Sequence, residues 1–144
     1  MEFAIKEIKY GSQDYKNSLD LRNRVLRVPL GMNLFDEDLK KDSQDIHVGA
    51  YDRDNLIGIL ILAKQSEKIA QMRQVAVDKS YRMKGIGKML VSFAEVQARG
   101  LGYSKIILHA RETAVPFYLK LGYVLKGNPF IEVGIPHIGC RTVL

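Results

Sequence analysis

A single cysteine, Cys140, in 144 residues excludes an internal disulfide and suits a reducing compartment. The longest apolar run, Leu56 to Ala63, falls far short of the roughly 20 residues that a membrane-spanning helix needs. The opening stretch MEFAIKEIKY lacks the charged-then-apolar layout of a secretion signal, so a cytoplasmic protein is expected. Low-complexity tracts and internal repeats are missing too, which removes the solenoid and fibrous classes. Acidic residues are scarce in the second half: residues 73–144 hold 4 against 11 basic side chains, whereas residues 1–72 hold 12 against 11. The net charge of +6 therefore resides in the C-terminal half. Such a half suits nucleic acid, a membrane surface or a polyanionic small ligand. No interleaved aromatic-and-basic stripe of the RNA-binding kind accompanies it, and the cations gather at one loop, so a small ligand is the expectation and nucleic acid and membrane are not.

That loop lies in the most informative stretch, Gln71 to Gly100. An apolar strand ends at Val77, a basic loop follows, and Gly85-Ile86-Gly87 opens a helix with Ile86, Met89, Leu90, Phe93 and Ala94 at the spacing of one buried face. Gly100 is expected to stop that helix. A strand turning through glycines into a helix aims unpaired N–H groups, and the positive end of the helix dipole, at whatever sits above the turn. A phosphate or diphosphate is the usual occupant of such a site. Lys79, Arg82, Lys84 and Lys88 add mobile positive charge, while Gly85 and Gly87 permit close approach to the main chain. Two other phosphate loops fit worse. A Walker loop needs Ser or Thr after Gly87-Lys88, where Met89 stands, and a dinucleotide fingerprint needs glycine where Leu90 stands.

The remaining chain reads as one domain, residues 1–144, large enough to bury roughly two-thirds of its unfolded surface. Phe3 to Ile8 alternates as an edge strand, and Ser12 caps a helix over 14–27 that buries Leu19, Val25 and Leu26, with Arg22 and Arg24 on or beside that face. Pro29 ends it, and a second short helix is expected over Phe35 to Lys41. A hairpin spans Ile46 to Tyr51 and Leu56 to Ala63, joined by a turn at 52–55. Past the central helix, Ser104 to His109 reads as a strand buried on both faces and parallel to the one ending at Val77. A helix follows over Ala114 to Leu121, capped by Thr113, with Pro116 in its first turn and Gly122 closing it. Two last strands, near 123–125 and 137–143, flank a loop over 127–136.

The pattern Arg82-x-x-Gly85-x-Gly87 resembles the Q/R-x-x-G-x-G/A signature of the GNAT superfamily of acetyl-CoA-dependent N-acetyltransferases. The stretch Ala114-Val115-Pro116-Phe117-Tyr118-Leu119-Lys120-Leu121-Gly122-Tyr123 resembles that superfamily's A-x-x-F-Y-x-x-x-G-F/Y motif, in the right order and at a suitable distance. Gly134-Ile135-Pro136-His137 further resembles a segment of the small bacterial ElaA-like branch. The element order resembles the GNAT fold over essentially the whole chain. The resemblance implies an α+β (mixed α/β) fold with a central mixed, mostly antiparallel sheet flanked by helices.

It also implies chemistry: direct transfer of acetyl from acetyl-CoA, the cosubstrate, to an amine of a small molecule or peptide. By resemblance, the main chain of Val75, Ala76 and Val77 pairs with the pantetheine arm and polarises the thioester carbonyl. Arg82, Met83, Lys84, Gly85, Ile86, Gly87 and Lys88 hold the pyrophosphate, and Tyr118 protonates the leaving sulfur while contacting the cofactor. A phenol near pKa ~10 keeps its proton at neutral pH; the alternative for Tyr118 is packing on Phe117 and Tyr123. His137 is either a contact on the acceptor side or a residue that orders its loop. His109 reads as a core or cleft histidine. Glu112 and Glu132 are candidate bases for the amine, beside a chain of waters. Where many relatives carry an asparagine that contacts the cofactor, this chain has Arg111, which either pairs with a CoA phosphate or faces solvent. Asp36, Glu37, Asp38, Asp42 and Asp45 with His47 read as a solvated face; they miss the spacing of a calcium loop, and no metal site is expected. Cys140 reads as an inert strand residue. A homodimer through the terminal strands fits this reading. The competing classes are a CoA-binding regulatory module without efficient turnover and a nucleic-acid binder.

Overall fold

A computed structural model describes residues 3–144. The strands are β1 (Phe3–Ile8), β2 (Ile46–Asp52), β3 (Asn55–Lys64), β4 (Ile69–Val77), β5 (Lys105–Arg111), β6 (Val124–Glu132) and β7 (Ile135–Val143). The α-helices are α1 (Gln13–Leu26), α2 (Ile86–Gly100) and α3 (Val115–Lys120). Hydrogen bonding orders the sheet β1-β2-β3-β4-β5-β7-β6. The chain gathers into two compact units, residues 1–63 with 74–94 and residues 64–73 with 95–144, so that β4 and α2 each contribute to both.

In the first unit β1 pairs antiparallel with β2, and β2 with β3, through a tight turn that sets Asp52 opposite Asn55. The core gathers Ile8, Tyr15, Leu21, Leu26, Ile59 and Ala76, with Leu19, Val25 and Leu56 packed against it. Ser12 caps α1 as expected, its hydroxyl accepting from the Tyr15 N–H. The buried stripe is rotated from the expected one: Tyr15, Ser18, Leu21, Arg22 and Leu26 face inward, and Leu19 and Val25 are only half-buried. A stripe with an arginine at its centre is tolerable because Arg22 finds a carboxylate, as described below. The expected second helix over 35–41 is instead two 3-10 turns, Leu34–Asp36 and Lys40–Gln44. With one buried side chain in each, neither has the apolar stripe that makes a longer helix stable in water.

In the second unit β5 runs parallel to β4, with pairs from Ile69↔Lys105 to Met72↔Leu108, and antiparallel to β7. Only one face of β5 is buried, through Ile106, Leu108 and Ala110, so the expectation of burial on both faces fails. α2 ends at Gly100 as expected, but the left-handed cap lies further on. Gly100 is the last helical residue; Gly102, at φ +91, is the left-handed one. The Tyr103 N–H donates to Ala98 O and the Gly102 N–H to Arg99 O, which is a Schellman closure. The expected loop over 127–136 is mostly strand: β6 and β7 pair around a turn at Val133-Gly134, with a register shift between Lys126 and Phe130. Thr113 does not cap α3; a 3-10 turn, Glu112–Ala114, leads into it, and its N-cap position, Ala114, has no side-chain cap.

Candidate active site

In the first unit the segment after β4 is tied down at its start and open beyond. The Asp78 N–H donates to Ile57 O at 2.7 Å, and Asp78 Oδ1 accepts from the Ser80 N–H at 3.0 Å. That backbone bond, with Arg24 as a further partner, holds the Asp78 carboxyl below its ordinary range despite partial burial. Tyr81 donates its hydroxyl to Asp52 at 2.6 Å. Beyond these anchors Arg82, Met83, Lys84 and Gly85 are all exposed. Met83 and Gly85 have φ +64 and +79, and a Cβ built on Gly85 meets nothing within 4 Å. α2 then begins with Ile86 buried beneath, and the Met89 N–H donates to Gly85 O at 3.1 Å. By helix geometry the N–H groups of Ile86, Gly87 and Lys88 have no partner within the helix. The result is an open main-chain turn at a helix start, with Arg82, Lys84 and Lys88 exposed along it.

The strand that feeds this loop is kinked. Registered pairing of β4 with β5 ends at Met72↔Leu108, and two residues on Gln74 has φ +54. A non-glycine residue in that region costs on the order of 1–3 kcal/mol and persists only where its surroundings impose it. The Gln74 side chain meets Arg22, whose Nε donates to Gln74 Oε1 at 3.3 Å. Arg22 is 1 % exposed and its Nη1 lies 2.7 Å from Asp42 Oδ2. The same oxygen accepts from the Tyr15 hydroxyl at 2.6 Å, and His47 Nε2 donates to Asp42 O at 2.7 Å. Burial pushes the Asp42 carboxyl up, but the bonds from Arg22 and Tyr15 outweigh it and hold the group below its usual range. Burial first, and the bond to Asp42 second, push the Tyr15 phenol up.

In the second unit Tyr118 lies on α3, buried, with ring contacts to Phe117 at 5.0 Å and Tyr123 at 5.7 Å. The spacing of the motif has a local cause. The Tyr123 N–H donates to Tyr118 O and the Gly122 N–H to Leu119 O, with Gly122 at φ +92. This Schellman closure folds Tyr123 back against Tyr118. The Tyr123 hydroxyl donates to Glu95 at 2.8 Å. Burial, with a smaller contribution from Cys140, raises the Tyr118 phenol, so it stays protonated through neutral pH. Cys140 is itself buried, and burial pushes its thiol up. His137 is 5 % exposed, donates from Nδ1 to Ile135 O at 3.0 Å and stacks on Phe130. His109 is exposed rather than a core histidine; its Nδ1 lies 2.8 Å from Glu132 and its ring meets Phe130 edge-on. Arg111 closes β5 opposite His137, and Glu112 is exposed beside it.

The GNAT acetyltransferase domain model matches residues 30–144. A Bacillus subtilis relative, the uncharacterized N-acetyltransferase YjcF, is 33% identical over 103 residues, 71% of each chain. The chain belongs to the GNAT acetyltransferase family. It is therefore an acyltransferase of GNAT type. Among solved structures, a candidate N-acetyltransferase from Lactobacillus plantarum superposes with a TM-score of 0.85 at 28% identity, covering 98% of this chain and 99% of that one. ElaA of Escherichia coli gives 0.81 at 21%, over 97% of each chain. An aminoglycoside 6'-N-acetyltransferase complexed with coenzyme A gives 0.79 at 20%, over 97% and 96%. The last two likenesses concern the fold.

Within this GNAT chain, residues 82–85 form the exposed segment that leads into α2, and Tyr118 is buried on α3. The expected solvated acidic face holds for Asp36, Glu37 and Asp38, which are exposed, and fails for two of its members. Asp42 and His47 are buried, 3 % and 1 % exposed, and belong to the Arg22 network. Arg22 on the apolar side of α1 was the one sequence signal for that network. Nothing in the local sequence marked Gln74. No helix among the described residues is long and apolar enough to cross a membrane, and no group of three or more His, Cys, Asp or Glu side chains among them is placed to hold a metal ion.

Proposed function

We propose that this GNAT chain, acting as a single catalytic domain over residues 1–144, transfers acetyl from acetyl-CoA directly to a primary amine of a small molecule or peptide. The observation that carries the reading is the left-handed Gln74 in β4, which precedes Val75–Val77 and leads the strand into the open cradle of Arg82 to Gly87. The fit to the cofactor rests on Gly85, whose position at φ +79 leaves free space where any side chain would stand. The coenzyme A complex of the aminoglycoside acetyltransferase of the same fold supports it.

In this reading main-chain N–H groups of the cradle and Arg82, Lys84 and Lys88 take the pyrophosphate, and Arg111 takes a phosphate at the end of β5. Val75, Ala76 and Val77 align the arm as an added strand, and one of their N–H groups donates to the thioester oxygen as it gains charge. The uncharged amine nitrogen attacks the carbonyl carbon, the C–S bond breaks, the nitrogen gives up a proton to a carboxylate or water, and the Tyr118 hydroxyl gives its proton to the sulfur and regains one from solvent. Glu112 and Glu132 are exposed carboxylates able to accept the amine's proton. His137 commits Nδ1 to Ile135 and its ring to Phe130, which supports a part in shaping the acceptor side rather than in proton transfer. A cytoplasmic location fits the lone buried cysteine. Association into a homodimer through the terminal strands belongs to the same reading: β6 ends the sheet and exposes Val124, Leu125 and Ile131.

The test is release of free CoA from acetyl-CoA by an amine and peptide panel, with binding followed by calorimetry. Accelerated thiol release by at least one amine is expected. CoA binding with no acceleration by any amine would leave a binding module in its place. Sedimentation as a monomer would remove the dimer alone.

A further inference from the structure

We propose that Arg22, held by Asp42, Tyr15 and His47, is a positioning residue that fixes the Gln74 kink and thereby aims the Val75–Val77 N–H groups at the thioester carbonyl. This rests on the acetyl-transfer reading above and adds to it the device that sets its geometry.

The network joins four elements of the first unit. Arg22 comes from α1, Asp42 from a 3-10 turn, His47 from β2 and Gln74 from β4. Arg22 divides its donors: Nη1 goes to Asp42 and Nε to Gln74 Oε1. Its own orientation is over-determined, because Asp42 Oδ2 also accepts from Tyr15 and Asp42 O from His47. Both Arg22 and Asp42 are excluded from solvent, and a pair so buried is no better for stability than well-packed apolar side chains of the same volume. What a rigid, bidirectional guanidinium offers that an apolar side chain cannot is a fixed donor direction. Here that direction ends on the one residue of β4 with positive φ. A kink held from its side chain keeps the following amides in place without drawing on the amides themselves. Electrostatic stabilisation of a developing oxyanion depends on such preset donors, and small displacements of them are costly to rate.

The test compares Gln74→Ala, which removes the acceptor and leaves the ion pair intact, with Gln74→Glu, which keeps an oxygen for Arg22 Nε. Gln74→Ala should lower kcat for amine-dependent thiol release about 10- to 100-fold, with the calorimetric affinity for CoA itself little changed. Gln74→Glu should restore most of kcat. Amide chemical shifts of Val75 to Val77 in the free protein should move in the alanine variant and stay near wild type in the glutamate variant. Unmoved amides in Gln74→Ala, or wild-type kcat with that variant, would overturn the proposal. The amide readout needs no turnover, so it decides the kink's dependence on Arg22 even if acetyl transfer itself fails.

Discussion

The Arg22 guanidinium and the Asp42 carboxylate meet at 2.7 Å with side chains only 2% and 4% exposed, the most deeply buried of the ion pairs described here. Removing one member strands the other charge. Arg22→Met should destabilise the fold by roughly 3–5 kcal/mol, and Arg22→Met with Asp42→Leu by far less. Denaturant unfolding of the two variants against wild type measures the difference.

The same pair gives a pH dependence. The Asp42 carboxyl titrates lower folded than unfolded, so its contribution is complete above the ordinary carboxylate value of 3.8 and is lost as pH falls through the lower folded value. Thermal unfolding of wild type should lose stability on acidification into this range, and the Arg22→Met/Asp42→Leu variant should lose less.

Tyr118→Phe keeps the ring and removes the proton. Turnover should fall about 100-fold, the low end for a general acid because a thiolate leaves readily. Acetyl-CoA affinity should hold. Because burial raises the phenol above its usual 10.0, no alkaline loss of kcat from this group should occur below that pH. Unchanged turnover would remove Tyr118 as the acid.

Gly85→Val sets a branched side chain at φ +79 in the open mouth of the cradle. Strain of about 1–3 kcal/mol on the loop, together with the blocked approach, should weaken CoA binding tenfold or more. Calorimetry reads it, and wild-type affinity would count against the cradle.

Cys140 is buried on β7 with its thiol pushed up. A thiol reagent at mildly alkaline pH should leave the native protein unlabelled and label it fully in denaturant. Rapid native labelling would contradict the placement.

Much of the candidate site was legible because it is local. The Arg82-x-x-Gly85-x-Gly87 turn and the Tyr118-to-Tyr123 closure are written in residues a few positions apart, where glycine conformation and helix spacing decide the geometry. The misreadings had equally local causes. Gly100 competed with Gly102 for the cap, and the turn at Val133-Gly134 was hidden by a β6 strand whose residues are nearly all exposed and show no alternation of burial. Asp42 looked like a member of an acidic surface because its neighbours Asp36, Glu37 and Asp38 are exposed and it alone among these four is not.

By itself the sequence determined the strand–loop–helix turn, the tyrosine closure and the succession of the seven strands, since each depends on backbone preferences within one turn or one strand. Only tertiary structure decided that Arg22, Asp42 and Gln74 meet. Asp42 and Gln74 lie 20 and 52 positions from Arg22 along the chain, and whether a charge ends in solvent or in a buried network is set by which surfaces pack together, which no local pattern records.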